Sequence, residues 1–336
     1  MTNDPERILL SHGGGGRRAR DLVERELLPP LSNEALAELG DSAIVSGAAR
    51  LAFTTDGFVV KPMFFPGGDI GRLAVCGTVN DLAVAGATPL YLSLSMILEE
   101  GLLLDDLRRV VQSVKAAAEE GDVRVVCGDT KVVEHGSADG MYLTTSGVGR
   151  MPEGVDLSPR HIRAGDVVLV SGTLGDHAIA VMSAREGIDF QTDVRSDVQP
   201  LADIAQVLLE AADVRCMRDP TRGGAAGVLN ELAGAAGVSI ELDEKAVPVA
   251  DGVRAACDVL GLDPLYAANE GKLIAVVSAD TAGAAFDALR SHRRGTDAAV
   301  IGTVGSDKAG RVTLRTTLGG RRIVDMPLGE QLPRIC

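Results

Sequence analysis

Short apolar runs alternate with segments of helical periodicity along this chain. Between residues 104 and 118, apolar side chains recur at the spacing of one helix face, and a wholly apolar run follows at 123–127. The second half repeats the arrangement, with a strand-like run at 238–242 before a helical pattern at 252–260. Strands that are apolar on both faces need helices to cover them, so the alternation predicts an α/β fold.

The chain is long enough for two such units, each with its own core. It contains 336 residues, 46% of them apolar, with 40 glycines and no tryptophan. A chain of this length divides more readily into two domains than one. We expect an N-terminal domain at 1–150, a linker at 151–164, a second α/β domain at 165–317 and a loosely patterned C-terminal tail at 318–336.

Charge and hydropathy exclude several classes of partner. The formal net charge is −14 and no basic stripe or tail is present, which argues against a nucleic acid partner. No apolar run approaches the roughly 18 residues of a membrane-spanning helix, and the N-terminus lacks the pattern of a signal peptide. These features predict a soluble, cytoplasmic protein with no membrane partner, in which a phosphate ligand would need Mg²⁺ and local cations.

The cysteines are odd in number and show no short paired spacing, which argues against a disulfide framework and a zinc knuckle. Cys127 and Cys216 lie in apolar runs and are expected to be buried. Cys336 is the last residue. A thiol there could carry a group that is loaded in one place and presented in another, and a frayed end without a task is the alternative.

A glycine run near the N-terminus could contact phosphate. It consists of Gly13, Gly14, Gly15 and Gly16, preceded by His12. Consecutive glycines can fold over an anion with every N–H group available. The run lacks the lysine–serine ending of a P-loop, and a flexible connection is the alternative reading.

Two further segments combine charge with a predicted change of secondary structure. Asp129, Thr130 and Lys131 are predicted just past the end of a buried strand, where α/β folds place ligand groups. Asp219 is predicted to cap a helix, and Arg222 near the start of that helix would form an anion site.

Aspartates recur at predicted ends of strands and helices. Each alone is more commonly a cap or turn residue, but together they suit a Mg²⁺–nucleotide site, in which one or two carboxylates hold each ion. The members of this set are Asp41, Asp56, Asp81, Asp129 and Asp219. The predicted metal ligands among them are Asp41, Asp56, Asp81 and Asp219.

The combination of these motifs resembles the HypE family of hydrogenase maturation proteins, in the superfamily of aminoimidazole ribonucleotide synthetase and selenophosphate synthetase. The terminal Cys336 is the most specific feature, because it separates this family from its ATP-using relatives. Ser42 departs from the superfamily pattern, in which an acidic residue often follows the position of Asp41. The matching stretches, in family order, are 11–16, 54–57, 65–71, 80–83, 128–133, 219–224, 269–271 and 333–336.

The resemblance implies a fold and a reaction. The fold would be α/β of the α+β type, with two aminoimidazole ribonucleotide synthetase-like domains, N-terminal sheets that pair in a homodimer, and a mobile tail. Cys336 would receive a carbamoyl group from the carbamoyltransferase HypF. ATP and Mg²⁺ would serve to dehydrate it to a thiocyanate, and a HypC–HypD complex would accept the cyanide for the nickel-iron hydrogenase centre.

The implied chemistry requires a cation near the departing phosphate and a base near the carboxamide nitrogen. Lys131 suits the first role by charge and Glu270 the second. Two other readings remain open: a small-molecule ATP-dependent synthetase of the same superfamily, and a maturation scaffold without enzymatic activity. The roles of His12 and His135, the number of Mg²⁺ ions, and insertion of the tail in its own or a partner subunit are also open.

Overall fold

The computed structural model of this protein describes residues 6–12, 17–33, 47–186, 193–327 and 334–336. None of the helices in these ranges is both long and apolar enough to cross a membrane. Helices and strands alternate, which confirms the predicted α/β class. The helices are α1 (Arg17–Leu22), α2 (Leu28–Leu31), α3 (Ile70–Val84), α4 (Leu104–Glu120), α5 (Asp176–Glu186), α6 (Ala202–Ala211), α7 (Gly224–Ala236), α8 (Asp251–Leu260) and α9 (Ala282–Ser291). The strands are β1 (Leu51–Phe58), β2 (Phe64–Phe65), β3 (Gly68–Asp69), β4 (Thr88–Glu99), β5 (Arg124–Val133), β6 (Met141–Arg150), β7 (Val167–Val170), β8 (Val214–Arg218), β9 (Ser239–Asp243), β10 (Ile274–Val277), β11 (Ala299–Gly305), β12 (Arg311–Arg315) and β13 (Arg321–Ile323).

Strands β1, β6, β4 and β5 form the N-terminal sheet, in that order. β6 is antiparallel to both of its neighbours, whereas β4 and β5 are parallel. One face packs with α3 and α4 in an apolar core. The opposite face carries exposed apolar side chains, with Phe53 71% and Leu51 50% exposed. Within the described residues, no other element therefore covers Leu51 and Phe53 on this face.

Helix α3 begins where the sequence predicts and lies between the two halves of the molecule. The side chain of Asp69 accepts hydrogen bonds from the main-chain N–H groups of Gly71 (2.8 Å) and Arg72 (3.0 Å). Asp69 thereby satisfies two open donors of the first turn, which confirms it as the N-cap. The helix contacts β1 and β6 on one side, and α6 and β8 from the second half. Its one carboxylate, Asp81, therefore lies at the junction of the halves.

The second half builds a sheet in the order β13-β12-β9-β11-β7-β10-β8. The β9–β12 pair is parallel and the other pairs are antiparallel. Leu229 of α7 joins the core on one face of the sheet, and Leu289 of α9 joins the core on the other. Strand β8 is at the edge of the sheet and contacts α3. The end of β8 is therefore brought to the N-terminal half.

An ion pair within a larger charged network also joins the two halves. Arg294, only 8% exposed, binds Glu120 at the end of α4 (Nη1–Oε1 2.9 Å) and Asp203 in α6 (Nε–Oδ1 2.9 Å). Glu120 in turn binds Arg72 of α3 (2.8 Å). Of these pairs, Arg294–Glu120 crosses the junction, so separating the halves would break it at a site where Arg294 is nearly fully buried.

Strand β13 shows that the predicted lack of pattern after residue 318 is wrong. Arg321 and Ile323 pair with β12. Val324 is fully buried, and its N–H donates to the main-chain oxygen of Val312 (3.0 Å). A strand of three residues is too short to show a period in the sequence. The sheet therefore extends past residue 318.

Strand β5 is longer than predicted. It continues through Gly128 instead of ending at Cys127, because residues 128–133 pair with the parallel strand β4. A Cβ on Gly128 would lie 2.6 Å from the main-chain oxygen of Leu94. The glycine therefore permits close approach of the two strands and does not end the strand. Residues 129–131 lie within β5 and not in a corner after it.

The two cysteines predicted to be buried have different outcomes. Cys216 is buried as predicted, whereas Cys127 is exposed, so the prediction for Cys127 is wrong. The β4–β5 register shifts beside it. Val125 and Val126 are consequently both buried, and Cys127 falls on the exposed face of the sheet.

Two element boundaries near the N-terminus also differ from prediction. The helix expected to close at Pro29 and Pro30 continues as α2, which carries both prolines in its first turn. β1 is continuous across Asp56, where two separate strands were expected. Asp56 is therefore held within a strand.

Candidate active site

A cavity of about 570 Å³ lies between the two halves. Strand β1 and helix α3 form one wall, and the end of β8 with the turn after it forms the other. A volume of this size is typical of sites for small-molecule ligands. The predicted site residues that line the cavity are Asp56, Asp81, Asp219, Arg222, Glu270 and Cys336.

Asp56 and Asp81 reach the cavity from neighbouring elements. Thr54 Oγ1 of β1 donates a hydrogen bond to Asp81 Oδ2 of α3 (2.7 Å). The main-chain N–H of Gly57 donates to Asp56 Oδ1 (2.8 Å). Burial raises the pKa of Asp81, the hydrogen bond from Thr54 opposes the rise, and the charge of Asp56 adds to it. A cation bound beside the two carboxylates would relieve this repulsion.

Asp219 lies in the turn that connects β8 to α7. The prediction that it caps α7 is wrong, because the N-cap position is Gly223, with φ of 81° and no side-chain cap. A Cβ on Gly224 would lie 2.6 Å from the main-chain oxygens of Leu265 and Ala267. Glycine at this position lets the turn pack against the segment that leads to the candidate base. The Asp219 side chain faces the cavity and does not close the helix.

Asp219 carries a perturbed carboxyl group. Burial, followed by the neighbouring charge of Asp81, raises the pKa of Asp219 to about 7, and Asp56 contributes in the same direction. The cation of Arg218 opposes the rise. Without a bound cation, the folded protein therefore holds a proton at Asp219 that an unfolded chain would release at lower pH.

The substitution Asp219→Asn is expected to stabilise the ligand-free protein at alkaline pH. In the wild type, the stabilising contribution of Asp219 is complete below about pH 4 and is lost as the pH rises through its folded pKa near 7. Asparagine cannot ionise, so this loss disappears. The free energy of unfolding at about pH 8 should rise by about 1–3 kcal/mol, with little difference between the proteins at about pH 4.

Thermal unfolding of the nucleotide-free protein across this pH range measures the effect. The matched control is Asp258→Asn, at an exposed position of α8, which should leave the profile unchanged. If the free energy of unfolding changes with pH in the same way for Asp219→Asn and the wild type, the ionised carboxylate of Asp219 is not destabilised by its neighbours.

Glu270 is the most deeply buried carboxylate of the cavity, at 3% exposure. Its main-chain N–H donates to Asp197 Oδ1 (3.1 Å), and the N–H of Gly271 donates to Asp197 Oδ2 (3.2 Å). Asn80 Nδ2 of α3 donates to the main-chain oxygen of Glu270 (3.1 Å). The backbone of Glu270 is thus held from both halves of the molecule.

The side chain of Glu270 is buried in a strongly perturbing environment. Within the described residues, its Oε1 atom is buried without a hydrogen-bond partner. Burial, followed by the charges of Asp219 and Asp197, raises the pKa of Glu270 well above its ordinary value. An unpartnered carboxyl oxygen in a cavity is costly for the fold and available to a ligand.

The described end of the chain lies against the same cavity. The N–H of Val59 donates to the main-chain oxygen of Cys336 (3.3 Å), and the N–H of Lys61 donates to that of Arg334 (3.2 Å). Ile335 is 2% exposed and packs in the N-terminal core. Residues 334–336 are therefore docked on their own chain, with the half-buried Cys336 lining the cavity.

Charged groups hold Arg334, the residue before Ile335 and Cys336. Arg334 forms an ion pair with Asp139, whose carboxylate also binds Lys61 Nζ (2.7 Å). The Nε of Arg334 donates to the main-chain oxygen of Val59 (3.2 Å). Arg185 of α5 donates to the main-chain oxygens of Lys61 (2.8 Å) and Arg334 (2.5 Å). The tail is thus fixed through both its backbone and its side chains.

Three predicted site residues, Asp129, Thr130 and Lys131, do not line this cavity. They lie on β5, at the edge of the N-terminal sheet opposite β1. Lys131 Nζ pairs with Asp129 Oδ2 (3.0 Å), and the N–H of Thr130 donates to Asp129 Oδ1 (2.9 Å). Both charged side chains are more than half exposed, at 64% and 58%.

Other predicted or open positions take no part in the cavity as described. His12 Nδ1 accepts from the N–H of Leu9 (3.1 Å), and His135, with its side chain 85% exposed, lies 3.4 Å from Glu99. Neither histidine lines the cavity. The predicted residues Gly13, Gly14, Gly15, Gly16 and Asp41 lie outside the described residues.

Several residues around the cavity were not predicted from the sequence. Asn80 was visible only as the neighbour of Asp81, and His177 was one of several histidines without metal-ligand spacing. Ser196 and Asp197 belong to a segment with no periodic pattern. Their shared property is that they hold other site residues by hydrogen bonds, which sequence spacing does not reveal.

The cavity suits a magnesium ion bound together with phosphate. No group of three or more histidine, cysteine or acidic residues in the described ranges is arranged to hold a metal ion alone. Mg²⁺ commonly takes one or two carboxylates and completes its shell with water and substrate phosphates. Asp56, Asp81 and Asp219 offer such carboxylates, and burial together with repulsion between these neighbours raises the pKa values of Asp81 and Asp219.

Comparison with known families agrees with this architecture. Residues 39–151 match the family model "AIR synthase related protein, N-terminal domain", and residues 163–315 match "AIR synthase related protein, C-terminal domain". Together the two models cover most of the chain. The fold and the cavity thus define a member of the AIR synthase superfamily.

Individual relatives narrow the family. The chain is 52% identical over 330 residues to the "Carbamoyl dehydratase HypE" of Bradyrhizobium diazoefficiens, covering 97% of this chain and 95% of that protein. Among solved structures, it is similar to the hydrogenase maturation protein HypE in complex with ATP, with a TM-score of 0.95, 46% identity, and coverage of 98% of this chain and 100% of that one. It is also similar to a chain of the HypE–HypF complex, with a TM-score of 0.80, 46% identity, and coverage of 91% and 99%. The chain belongs to the HypE family.

Proposed function

We propose that the protein catalyses the ATP-dependent dehydration of a carbamoyl group carried on Cys336, which converts an S-carboxamide to a thiocyanate. The position of the C-terminal thiol carries the proposal, because Cys336 lines the same cavity as Asp81, Asp219 and Glu270. A covalently carried group would reach carboxylates suited to Mg²⁺ and a candidate base without dissociating. The related carbamoyl dehydratase and the ATP complex named above support the assignment.

The reaction must turn the carboxamide oxygen into a leaving group. That oxygen attacks the γ-phosphorus of ATP, a C–O–P linkage forms, the bond to the β-phosphate oxygen breaks, and ADP leaves. The nitrogen loses one proton as the imidate forms and a second in the elimination. The C–O bond electrons depart with inorganic phosphate, and a carbon–nitrogen triple bond remains on the sulfur of Cys336.

Glu270 is the proposed base for the nitrogen proton that is lost in the elimination, and the first nitrogen proton passes to solvent. Its Oε1 has no hydrogen-bond partner within the described residues and its pKa is raised, so it can accept a proton more readily than an ordinary carboxylate. Its backbone is fixed by Asp197 and Asn80, which limits movement of the base relative to the cavity. Arg222 faces the same cavity and would contribute positive charge toward the phosphates.

Asp56, Asp81 and Asp219 are the proposed carboxylates for Mg²⁺, and Asp41 is retained as a fourth candidate. Mg²⁺ would neutralise phosphate charge in the transition state and help to orient the γ-phosphate. The glycines at 13–16 remain proposed phosphate contacts. Asp129 and Thr130 remain proposed nucleotide contacts.

We also propose a homodimer in which the N-terminal sheets pair. The sheet face that exposes Phe53 of β1 also exposes Ile97 of β4. Lys131 is the register partner of Ile97 on the neighbouring strand β5, so it lies on the same face at the far edge of the sheet. In a two-fold stack whose axis runs along the strands, the β5 edge of one copy would meet the β1 edge of the other. Lys131 of the partner subunit would then approach Phe53 and Thr55, which line the cavity. Sedimentation analysis tests this arrangement, and a monomer at working concentration would exclude it.

The proposed partners follow from the reaction. HypF would load Cys336, in keeping with the solved HypE–HypF complex. A HypC–HypD complex would accept the cyanide, and transfer of isotope-labelled cyanide from the modified protein to that complex tests the step. The cysteines of the described ranges form no disulfide, in keeping with a cytoplasmic setting.

Intact-mass spectrometry tests the proposed reaction. The protein is incubated with HypF, carbamoyl phosphate and ATP, and the C-terminal peptide is then analysed. We expect a carbamoyl adduct on Cys336, followed by loss of one water when ATP is supplied to the isolated adduct. A small-molecule synthetase would show ATP-dependent turnover without the adduct, and a scaffold would show neither mass change.

A further inference from the structure

His177 and the segment 195–199 connect the docked tail to the backbone of the candidate base. His177 is fully buried in the first turn of α5. Its Nε2 lies 2.9 Å from the main-chain oxygen of Ile335, and its Nδ1 lies 2.7 Å from Ser196 Oγ. The ring forms a T-shaped contact with Phe65, with centroids 5.4 Å apart. We call this arrangement of His177 and residues 195–199 the tail latch.

The hydrogen-bond partners fix the protonation of the ring. A carbonyl oxygen only accepts, so Nε2 must carry the proton that it donates to Ile335. Burial lowers the pKa of His177, which favours the neutral ring. Nδ1 then accepts from the Ser196 hydroxyl, and Ser196 Oγ accepts in turn from the N–H of Val198 (3.2 Å). Nε2 therefore holds the tail, and Nδ1 anchors the ring to Ser196.

The next residue of the latch holds the candidate base. Asp197 accepts from the N–H groups of Glu270 and Gly271, and Lys272 Nζ lies 3.2 Å from its Oδ2. A Cβ on Gly271 would lie only 1.8 Å from the main-chain oxygen of Asp197. The two backbones are therefore packed directly against each other. Consecutive residues of one segment thus fix the tail carbonyl, through His177, and the backbone of Glu270.

We infer that His177 is a positioning residue that holds Cys336 in the cavity at a set place relative to Glu270. The inference rests on the proposed function for its catalytic consequence, but docking of the thiol can be measured separately. Ile335 precedes Cys336 directly, so a fixed Ile335 carbonyl leaves the thiol few positions to occupy. Misplacing a reacting group by about 1 Å can cost about 100-fold in rate.

Two substitutions separate the hydrogen bond from the volume of the ring. His177→Leu fills much of the space but offers no donor to Ile335. His177→Gln retains an N–H donor near the position of Nε2. We expect the leucine variant to release the tail and the glutamine variant to retain much of the docking.

Alkylation by iodoacetamide, followed by mass spectrometry of each cysteine peptide in the ligand-free protein, measures docking. In His177→Leu, Cys336 should react about tenfold faster than in the wild type, the effect of losing one hydrogen bond. His177→Gln should stay within about threefold. Cys127, on the sheet face that does not contact the tail, should react at the same rate in every variant, and the buried Cys76, Cys216 and Cys257 report unfolding.

A second measurement is the single-turnover dehydration of protein already carbamoylated on Cys336, at saturating ATP. This rate should fall about 10- to 100-fold in His177→Leu and recover substantially in His177→Gln. Cys336 of the wild type could react more slowly with iodoacetamide than in His177→Leu, while the carbamoylated wild type shows no dehydration. In that case the proposed function fails and the tail latch remains. If the reactivity of Cys336 is the same in the wild type and His177→Leu, the latch is refuted whatever the dehydration rate.

If the buried cysteines react in His177→Leu, that variant is unfolded, and Ser196→Ala is tested in its place. This change removes the partner of Nδ1 without altering the ring and should raise the reactivity of Cys336 about threefold. Unchanged reactivity of Cys336 in a folded Ser196→Ala protein would overturn the proposed positioning role.

Discussion

Replacing Cys336 with serine is expected to abolish thiocyanate formation and to reduce ATP-dependent dehydration at least about 1000-fold, while ATP affinity changes by less than about twofold. The sulfur is the atom on which the carbamoyl group is proposed to travel, and a serine hydroxyl is a far weaker nucleophile at neutral pH. Cys336 lines the cavity from the end of the chain and is not part of its carboxylate cluster. Loss of its sulfur should therefore leave the nucleotide contacts in place.

The substitution is assayed with HypF, carbamoyl phosphate and ATP, with the intact mass and phosphate release as readouts. Two other cysteines provide matched controls. Cys127→Ser alters an exposed thiol of β5, and Cys216→Ser alters a buried thiol that lines the same cavity. Both should retain the adduct on Cys336. Full ATP-dependent product formation by Cys336→Ser would instead favour a small-molecule synthetase.

The sequence predicts local structure well where a side chain acts on its own segment. Asp69 is followed by small and apolar residues at helical spacing, and the helix begins one residue after it. Helix α4 likewise ends at Gly121 as predicted, with the next residue, Asp122, in the left-handed conformation (φ of 49°). These features depend on neighbours within a few residues, so the sequence contains the needed information.

Prediction is wrong where a distant strand decides the outcome. Gly128 was interpreted as the end of a strand, but pairing with β4 carries the strand past it. The same pairing contains the register shift that exposes Cys127. Asp219 resembles a cap in sequence, but the tight turn at Gly223 and Gly224 turns its carboxylate to the cavity. Such tertiary contacts leave no periodic signal.

The residues of the site likewise fall into two groups, those that the sequence makes recognisable and those that it does not. Asp56, Asp81, Asp219, Glu270 and Cys336 were recognisable because each residue type suits a stated chemical task, and the fold brings them to one cavity. The residues that hold them were not recognisable. His177, Ser196 and Asp197 act only through hydrogen bonds to partners that are distant in sequence. A buried histidine or aspartate has no chemical signature until its partners are known.

Glu270→Gln is expected to lower the rate of dehydration by about 100- to 10,000-fold while carbamoylation of Cys336 and ATP binding are retained. Glutamine has nearly the same shape, and the Asp197 and Asn80 bonds go to the backbone of residue 270, so the substitution should not move the segment. Oε1 has no hydrogen-bond partner in the described residues that the new amide could disrupt. The loss should therefore report proton transfer and not packing.

The pH dependence distinguishes a base from a structural carboxylate. If Glu270 accepts the nitrogen proton, the wild-type single-turnover rate should rise with pH through the raised pKa of Glu270 and then level off. Glu270→Gln should lack this rising limb. The exposed Glu119→Gln on α4 is the matched control and should reproduce the wild-type profile. A rising limb that persists in Glu270→Gln would assign the base to another group.

Mixing two inactive variants tests where the tail acts. In this structure, residues 334–336 bind Val59, Lys61 and His177 of their own chain. A Glu270→Gln protein has a thiol but no base, and a Cys336→Ser protein has a base but no thiol. If the tail works in its own subunit, no subunit in the mixture holds both groups, so dehydration of the carbamoylated Glu270→Gln protein should not recover. Recovery would require the tail to enter the cavity of a second subunit, which would limit the docked arrangement to a resting state.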